Sequence, residues 1–157
     1  VIKRVNIKDQ SIAEQVLPIQ LASYQIEADI IQFYDIPPLK ETIDDLMNVN
    51  EEFLAYYDNG ALAGLLSYEA DGPFTITICR MMVHPNFHRK GIASALIKEL
   101  FNLTSECEQW KVTTGAKNEP AKKLYLKHGF TEEKIFEVVP GLMISAFSRT
   151  TAFSVGS

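Results

Sequence analysis

Residues 51–85, EEFLAYYDNGALAGLLSYEADGPFTITICRMMVHP, constrain the fold more than any other stretch of the chain. Three runs of aliphatic, aromatic and β-branched residues are separated by Asn59-Gly60 and Asp71-Gly72. Asn-Gly and Asp-Gly supply the positive φ angles that tight hairpin turns need, so three strands in an antiparallel meander are expected. Such a sheet must bury its apolar faces, and the sequence before and after it offers helices to do so.

Upstream, IKRVNI alternates apolar and polar residues as a first strand does. SIAEQVLPIQLASYQIEADI has helical spacing, with Pro18 expected to bend or split it. PPLKETIDDLMNV reads as a second, short helix, because proline is tolerated in a first turn and Leu39, Ile43, Leu46 and Met47 share a face. Downstream of Gly91, the residues Ile92, Ala95, Leu96, Leu100 and Leu103 form one helical stripe, opposite Lys98, Glu99 and Asn102. QWKVTTGA reads as a strand. NEPAKKLYLKHGF reads as a short helix capped by Asn118, with Pro120 in its first turn, Lys127 and His128 facing its C-terminal dipole and Gly129 ending it. EKIFEVV and GLMISAFSRT close the chain as two strands. The order β-α-α-β-β-β-α-β-α-β-β contains no repeat or linker. It is expected to form one mixed α/β domain over residues 1–150, followed by a short tail at 151–157.

The chain has 157 residues, 46% of them hydrophobic and 22% charged, which suits a folded domain with a sizeable core rather than a disordered segment. No apolar run approaches the roughly 20 residues needed to span a bilayer, and VIKRVNIKDQ is no signal peptide. Cys79 and Cys107 are too few for a disulfide framework, so both are expected reduced in a cytoplasmic protein. His84, His88 and His128 lack metal-ligand spacing, and no metal is expected. The net charge of -5 is unevenly spread: residues 9–58 hold eleven Asp and Glu against Lys40 alone. This acidic segment is either a solvated helical face or a surface that meets a cationic ligand. An acidic balance without an aromatic–basic stripe argues against nucleic-acid binding.

HRKGIA, residues 88–93, stands between the third meander strand and the next helix. A helix N-terminus presents about four unsatisfied N–H groups and a favourable dipole, and a glycine lets backbone come close to a ligand. Arg89 and Lys90 add positive charge. By itself the hexapeptide fits either a phosphate cradle or a solvated loop with a glycine for chain geometry.

The flanks separate these readings. ICRMMVHPNFHRKGIASALIKEL followed by TTGAKNEPAKKLYLKHGF resembles the GNAT superfamily of acyl-CoA-dependent N-acetyltransferases. The first piece is similar to that family's phosphate-loop motif: Gln or Arg, two residues, Gly, any residue, then Gly or Ala, after a strand ending Val-x-Pro. Here His88 departs from the usual Gln or Arg, and Ala93 takes the final small position. The second piece is similar to N-x-x-A-x-x-L-Y-x-x-x-G-F, carried by Asn118, Ala121, Leu124, Tyr125, Gly129 and Phe130.

The resemblance implies a mostly antiparallel central sheet, flanked by helices, in which two parallel strands splay apart. The strands would be the one ending at Val83 and the one around KVTTGA. It implies acetyl-CoA as co-substrate, its pantetheine arm along Met81, Met82 and Val83. One of those amides would serve as an oxyanion contact. The pyrophosphate would lie on His88, Arg89, Lys90, Gly91, Ile92, Ala93 and Ser94, and Asn118 would touch the arm. Tyr125, an ordinary core tyrosine by spacing alone, would be the general acid toward the CoA thiolate. For the general base, Glu69 at a strand end and an ordered water are both open. Glu27, Asp29, Phe33, Tyr34 and Asp35 are the candidate contacts to a cationic primary amine, small molecule or peptide. A catalytically silent acyl-CoA sensor on the same fold is the alternative, and a homodimer is compatible with the family.

Overall fold

The computed structural model describes residues 1–151. The tail expected at 151–157 therefore lies, from residue 152, outside the described residues. β1 spans Ile2–Val5, and α1 spans Gln10–Ile31, capped by Asp9 through Ser11 N–H. Pro18 sits inside α1 without splitting it. The expected second helix divides instead into a 3-10 turn, Pro37–Leu39, and α2, Ile43–Met47. The cause is local: Thr42 and Asp45 form a reciprocal capping box that starts a new helix at Ile43.

The meander forms as β2 (Glu52–Asp58), β3 (Ala61–Ala70) and β4 (Thr75–Val83). Asn59 and Gly60 have φ of 52° and 84°, as a two-residue hairpin turn with positive φ at both positions requires. Asp71-Gly72 lies in a longer connection, closed by Asp71 N–H donating to Thr75 O at 2.8 Å. Next come α3 (Ile92–Leu103), β5 (Gln109–Gly115) and α4 (Glu119–Lys127). β6 (Thr131–Val139) and β7 (Leu142–Thr150) complete a sheet of order β1-β2-β3-β4-β5-β7-β6. Every neighbouring pair is antiparallel except β4–β5.

Two main cores lie on opposite faces. Ala13, Val16 and Ile19 of α1 and Leu46 of α2 pack on Phe53, Ala55, Leu65 and Met82. Ile92, Leu96, Ile97 and Leu100 of α3, with Tyr125 of α4, pack on Leu54, Leu66, Ile76, Ile78 and Val112. Within β4 the core face switches. Tyr68 lies opposite Ile78 and Ser67 opposite Arg80, which leaves Cys79 as an extra residue on β4. Such a bulge bends a strand and re-aims its side chains. Ile76 and Ile78 therefore face α3, whereas Met82 beyond the bulge faces α1. The parallel pairing of β4 with β5 covers only Thr75–Thr77 and Gln109–Lys111. Beyond it β5 stays with β7 as far as Gly115, while β4 stays only with β3 as far as Val83, so the two strands splay.

Candidate active site

The splay opens a cleft of about 460 Å³. Ser23, Tyr24 and Glu27 of α1 line one wall, Ile78 to Met81 and Val83 of β4 another, and Val112 to Thr114 of β5 a third. The start of α3 and the residues Asn118 and Tyr125 of α4 complete it.

At the cleft mouth the chain leaves β4 through a 3-10 turn, Pro85–Phe87, and enters α3 with no side-chain cap. Arg89 and Gly91 both take positive φ, 65° and 72°. The first bond of the helix is Ala95 N–H to Gly91 O, and among the described residues no acceptor meets the N–H groups of residues 89–94. A run of convergent unpartnered amides at a helix N-terminus suits a phosphate. A Cβ on Gly91 would meet nothing within 4 Å, so the space in front of the turn is open. One wall is close for a reason visible in β3: a Cβ on Gly64 would stand 2.8 Å from Met82 O and 3.1 Å from Ile92 Cγ2. Glycine at that position lets α3 begin tight against the sheet. These residues fit the diphosphate of a CoA molecule. Ser94 Oγ lies 2.9 Å from His128 Nε2. Partial burial and the nearby Lys127, Lys98 and Arg149 hold that imidazole below its ordinary range.

Deeper in, Glu27 Oε1 accepts from Asn118 Nδ2 at 3.0 Å and from Thr114 Oγ1 at 3.1 Å. Asn118 Oδ1 accepts from Ala121 N–H, so this residue caps α4 and fixes a cleft carboxylate at once. Glu27 Oε2 has no hydrogen-bond partner among the described residues. Tyr125 is only 4% exposed, its ring packed edge-on to Phe130 and tilted against Phe147. Burial, with Tyr24 and Glu27 nearby, raises its phenol pKa, so the proton stays on. No described group bonds that hydroxyl. Tyr24 is raised likewise, by burial first and Glu27 second.

Below the bulge, Arg80 spends all five N–H donors. Its Nε and Nη2 reach Glu51 at 2.9 and 3.3 Å, Nη1 and Nη2 grip Glu41, and Nη1 also meets Gln20 at 2.9 Å. Burial opposes the guanidinium's charge, but the bonds to Glu41 and Glu51 outweigh it and raise its pKa. Cys79, at the bulge, has its thiol pushed up to about 12 by burial, Glu51 and Glu69. It is no nucleophile at neutral pH.

Of the residues picked out in the sequence, Met81, Val83, His88, Arg89, Asn118 and Tyr125 line the cleft, as do Gly91 to Ser94 and Glu27. Met82 is buried on the α1 face because of the bulge, and Lys90 pairs with Asp58 at 3.0 Å beside the Phe87 ring. Glu69 is exposed at the end of β3, outside the lining. Asp29 and Tyr34 are exposed, Asp35 pairs with Lys40, and Phe33 packs with Ile31 and Ile36. None of these four lines the cleft. Sequence reasoning passed over Ser23, Tyr24, Arg80 and Thr114. Gln20, Tyr24 and Glu27 share the α1 face that buries Val16, Ile19 and Ile31, and polar groups interrupting a core stripe were the available signal.

Residues 14–130 match the sequence profile of the acetyltransferase (GNAT) family. The chain belongs to that family. A curated relative, the UPF0157 protein YqkA of Bacillus subtilis, is 37% identical over 140 residues, 89% of this chain. The chain spans 40% of that relative's length. Among solved structures, the PaiA N-acetyltransferase of Thermoplasma acidophilum, determined with coenzyme A, superposes with a TM-score of 0.76 at 16% identity. That match covers 96% of this chain and 98% of the other. The ribosomal-protein-S18-alanine N-acetyltransferase of Escherichia coli gives 0.74 at 14% identity, over 96% and 92%. These likenesses establish the GNAT fold, the mostly antiparallel sheet with one splayed parallel pair. No helix among the described residues is long and apolar enough to cross a membrane.

Proposed function

We propose that this chain is an N-acetyltransferase that moves an acetyl group from acetyl-CoA to a primary amine on a cationic acceptor. The observation that carries this is the run of unpartnered amides from Arg89 to Ser94 opening into the splayed cleft. Those amides, with Arg89, would hold the pyrophosphate, and the edge of β4 at Met81 and Val83 would hold the pantetheine arm. Bound acetyl-CoA supplies a thioester carbonyl as the electrophile.

The chain's own groups supply the rest. Glu27 Oε2 takes the proton of the ammonium form of the acceptor, leaving a nucleophilic amine. Thr114 and Asn118 hold Oε1 and so fix the carboxylate's direction. An N–H on the β4 edge stabilises the oxygen that gains negative charge. Tyr125, kept protonated by burial and unbonded elsewhere, offers its proton to the departing sulfur. Positioning two reactants in one cleft provides the remainder of the barrier reduction. Glu27, backed by Glu41 and Glu51 against the single Arg80, favours a positively charged acceptor: a polyamine, an aminoglycoside-like amine or a lysine side chain.

Thiol release from acetyl-CoA, followed across an amine panel, tests the reading. Cationic primary amines are expected to turn over best, less so at high salt because exposed charges are screened. Tight acetyl-CoA binding with no turnover on any amine would instead favour the silent sensor.

A further inference from the structure

The splayed edge of β4 offers two N–H groups that a parallel neighbour would have used, and both are already bonded. Met81 N–H donates to Tyr24 Oη at 3.4 Å, and Val83 N–H donates to Ser23 Oγ at 3.3 Å. The two acceptors are consecutive residues of α1, and the two amides are alternate residues on one strand edge. An adjacent strand, or an extended ligand, would place carbonyl oxygens at that spacing. Both distances lie beyond the usual 2.7–3.2 Å range, so the bonds are weak ones that satisfy the amides without gripping them.

We propose that Ser23 and Tyr24 close the acyl-CoA groove in the free protein, their hydroxyl oxygens standing where ligand carbonyl oxygens must go. The inference rests on the acyl-CoA reading given above. Binding is then an exchange of acceptors on Met81 and Val83 and draws the two side chains off the β4 edge. Released, the Tyr24 phenol stays close to Glu27 and Tyr125. The sign of the consequence is specific. Deleting a hydroxyl strips an amide of its acceptor only in the free state, so the free protein loses stability while the complex does not. By linkage, affinity for the ligand rises.

The test is calorimetry with acetyl-CoA on the wild type and on Ser23→Ala, Tyr24→Phe and the double variant, with melting temperatures measured free and at saturation. Each deletion is expected to tighten binding roughly three- to tenfold. The free variants should melt earlier than wild type, and the saturated ones should melt with it. Weaker binding would make the hydroxyls ligand contacts, and unchanged affinity would make them bystanders; either result overturns the inference while the acyl-CoA reading stands. A wild type that does not bind acetyl-CoA overturns both.

Discussion

Arg80→Met perturbs the most concentrated polar cluster in the protein. The guanidinium is 9% exposed, and its partners Glu41 and Glu51 are 21% and 13% exposed. All five donors are used, two on Glu41, two on Glu51 and one on Gln20, and Ser67 and Gln20 donate in turn to the two carboxylates. Methionine restores the volume but leaves two largely buried carboxylates without their cation. Removing one partner of a buried ion pair costs about 3–5 kcal/mol, mostly from the charge left behind. For a domain of this size that is a fall in Tm of about 6–20 °C. The triple variant Arg80→Met/Glu41→Gln/Glu51→Gln keeps acceptors for Gln20 and Ser67 without stranding charge, and should recover a large part of the loss. Reversible urea and thermal unfolding of both proteins give the comparison. If the single variant melts within about 2 °C of wild type, or the triple is no better than the single, the network is not what holds α1, the segment after it and β2 to the bulge.

Gly91→Glu should abolish acetyl-CoA binding in calorimetry while the protein still folds. A side chain there meets no neighbour, the positive φ costs roughly 1–2 kcal/mol, and Gly91→Ala controls for that strain. Tyr125→Phe keeps the packing on Phe130 and Phe147 and removes the proton donor; kcat should fall about 10²–10⁴-fold with acetyl-CoA affinity and Tm little changed. Full kcat with early melting would make the phenol a purely structural group. His128 has its pKa lowered from 6.5 in the folded protein, so the unfolded chain takes up a proton first as pH falls. Its contribution to stability is present above pH 6.5 and declines as pH drops from there toward the folded value, and His128→Asn should flatten that part of a Tm–pH curve.

What could be read from the sequence was what local chemistry decides. The hairpin at Asn59-Gly60, the punctuation of α4 from Asn118 to Gly129 and the stripe on α3 each depend on a few adjacent residues. The structure places them as expected, adding Ile97 to the buried stripe. Pro18 does not split α1, since a long helix packed on a sheet tolerates one missing N–H. The break near Lys40 was missed because Thr42 and Asp45 form a cap inside an apparently continuous pattern. The bulge at Cys79 has no compositional mark. It appears only when β3 and β4 are aligned, yet it sends Met82 to one core and separates β4 from β5. Glu27 was picked out for its charge among neighbours with the same charge. The reason it alone reaches the cleft is its bond to Asn118, ninety-one residues away in sequence. Gly64 was legible in principle, because an isolated glycine in a strand marks a close approach.

The proposed function requires that the uncapped turn at Arg89–Ser94 and the splayed edge of β4 together receive acyl-CoA. Amide resonances of the 15N-labelled protein, titrated with acetyl-CoA, test it directly. The N–H signals of residues 89–94 should shift and become protected from hydrogen exchange, and those of Met81 and Val83 should shift as their acceptors change. Unmoved signals at 89–94, with the perturbation centred on another surface, would contradict it.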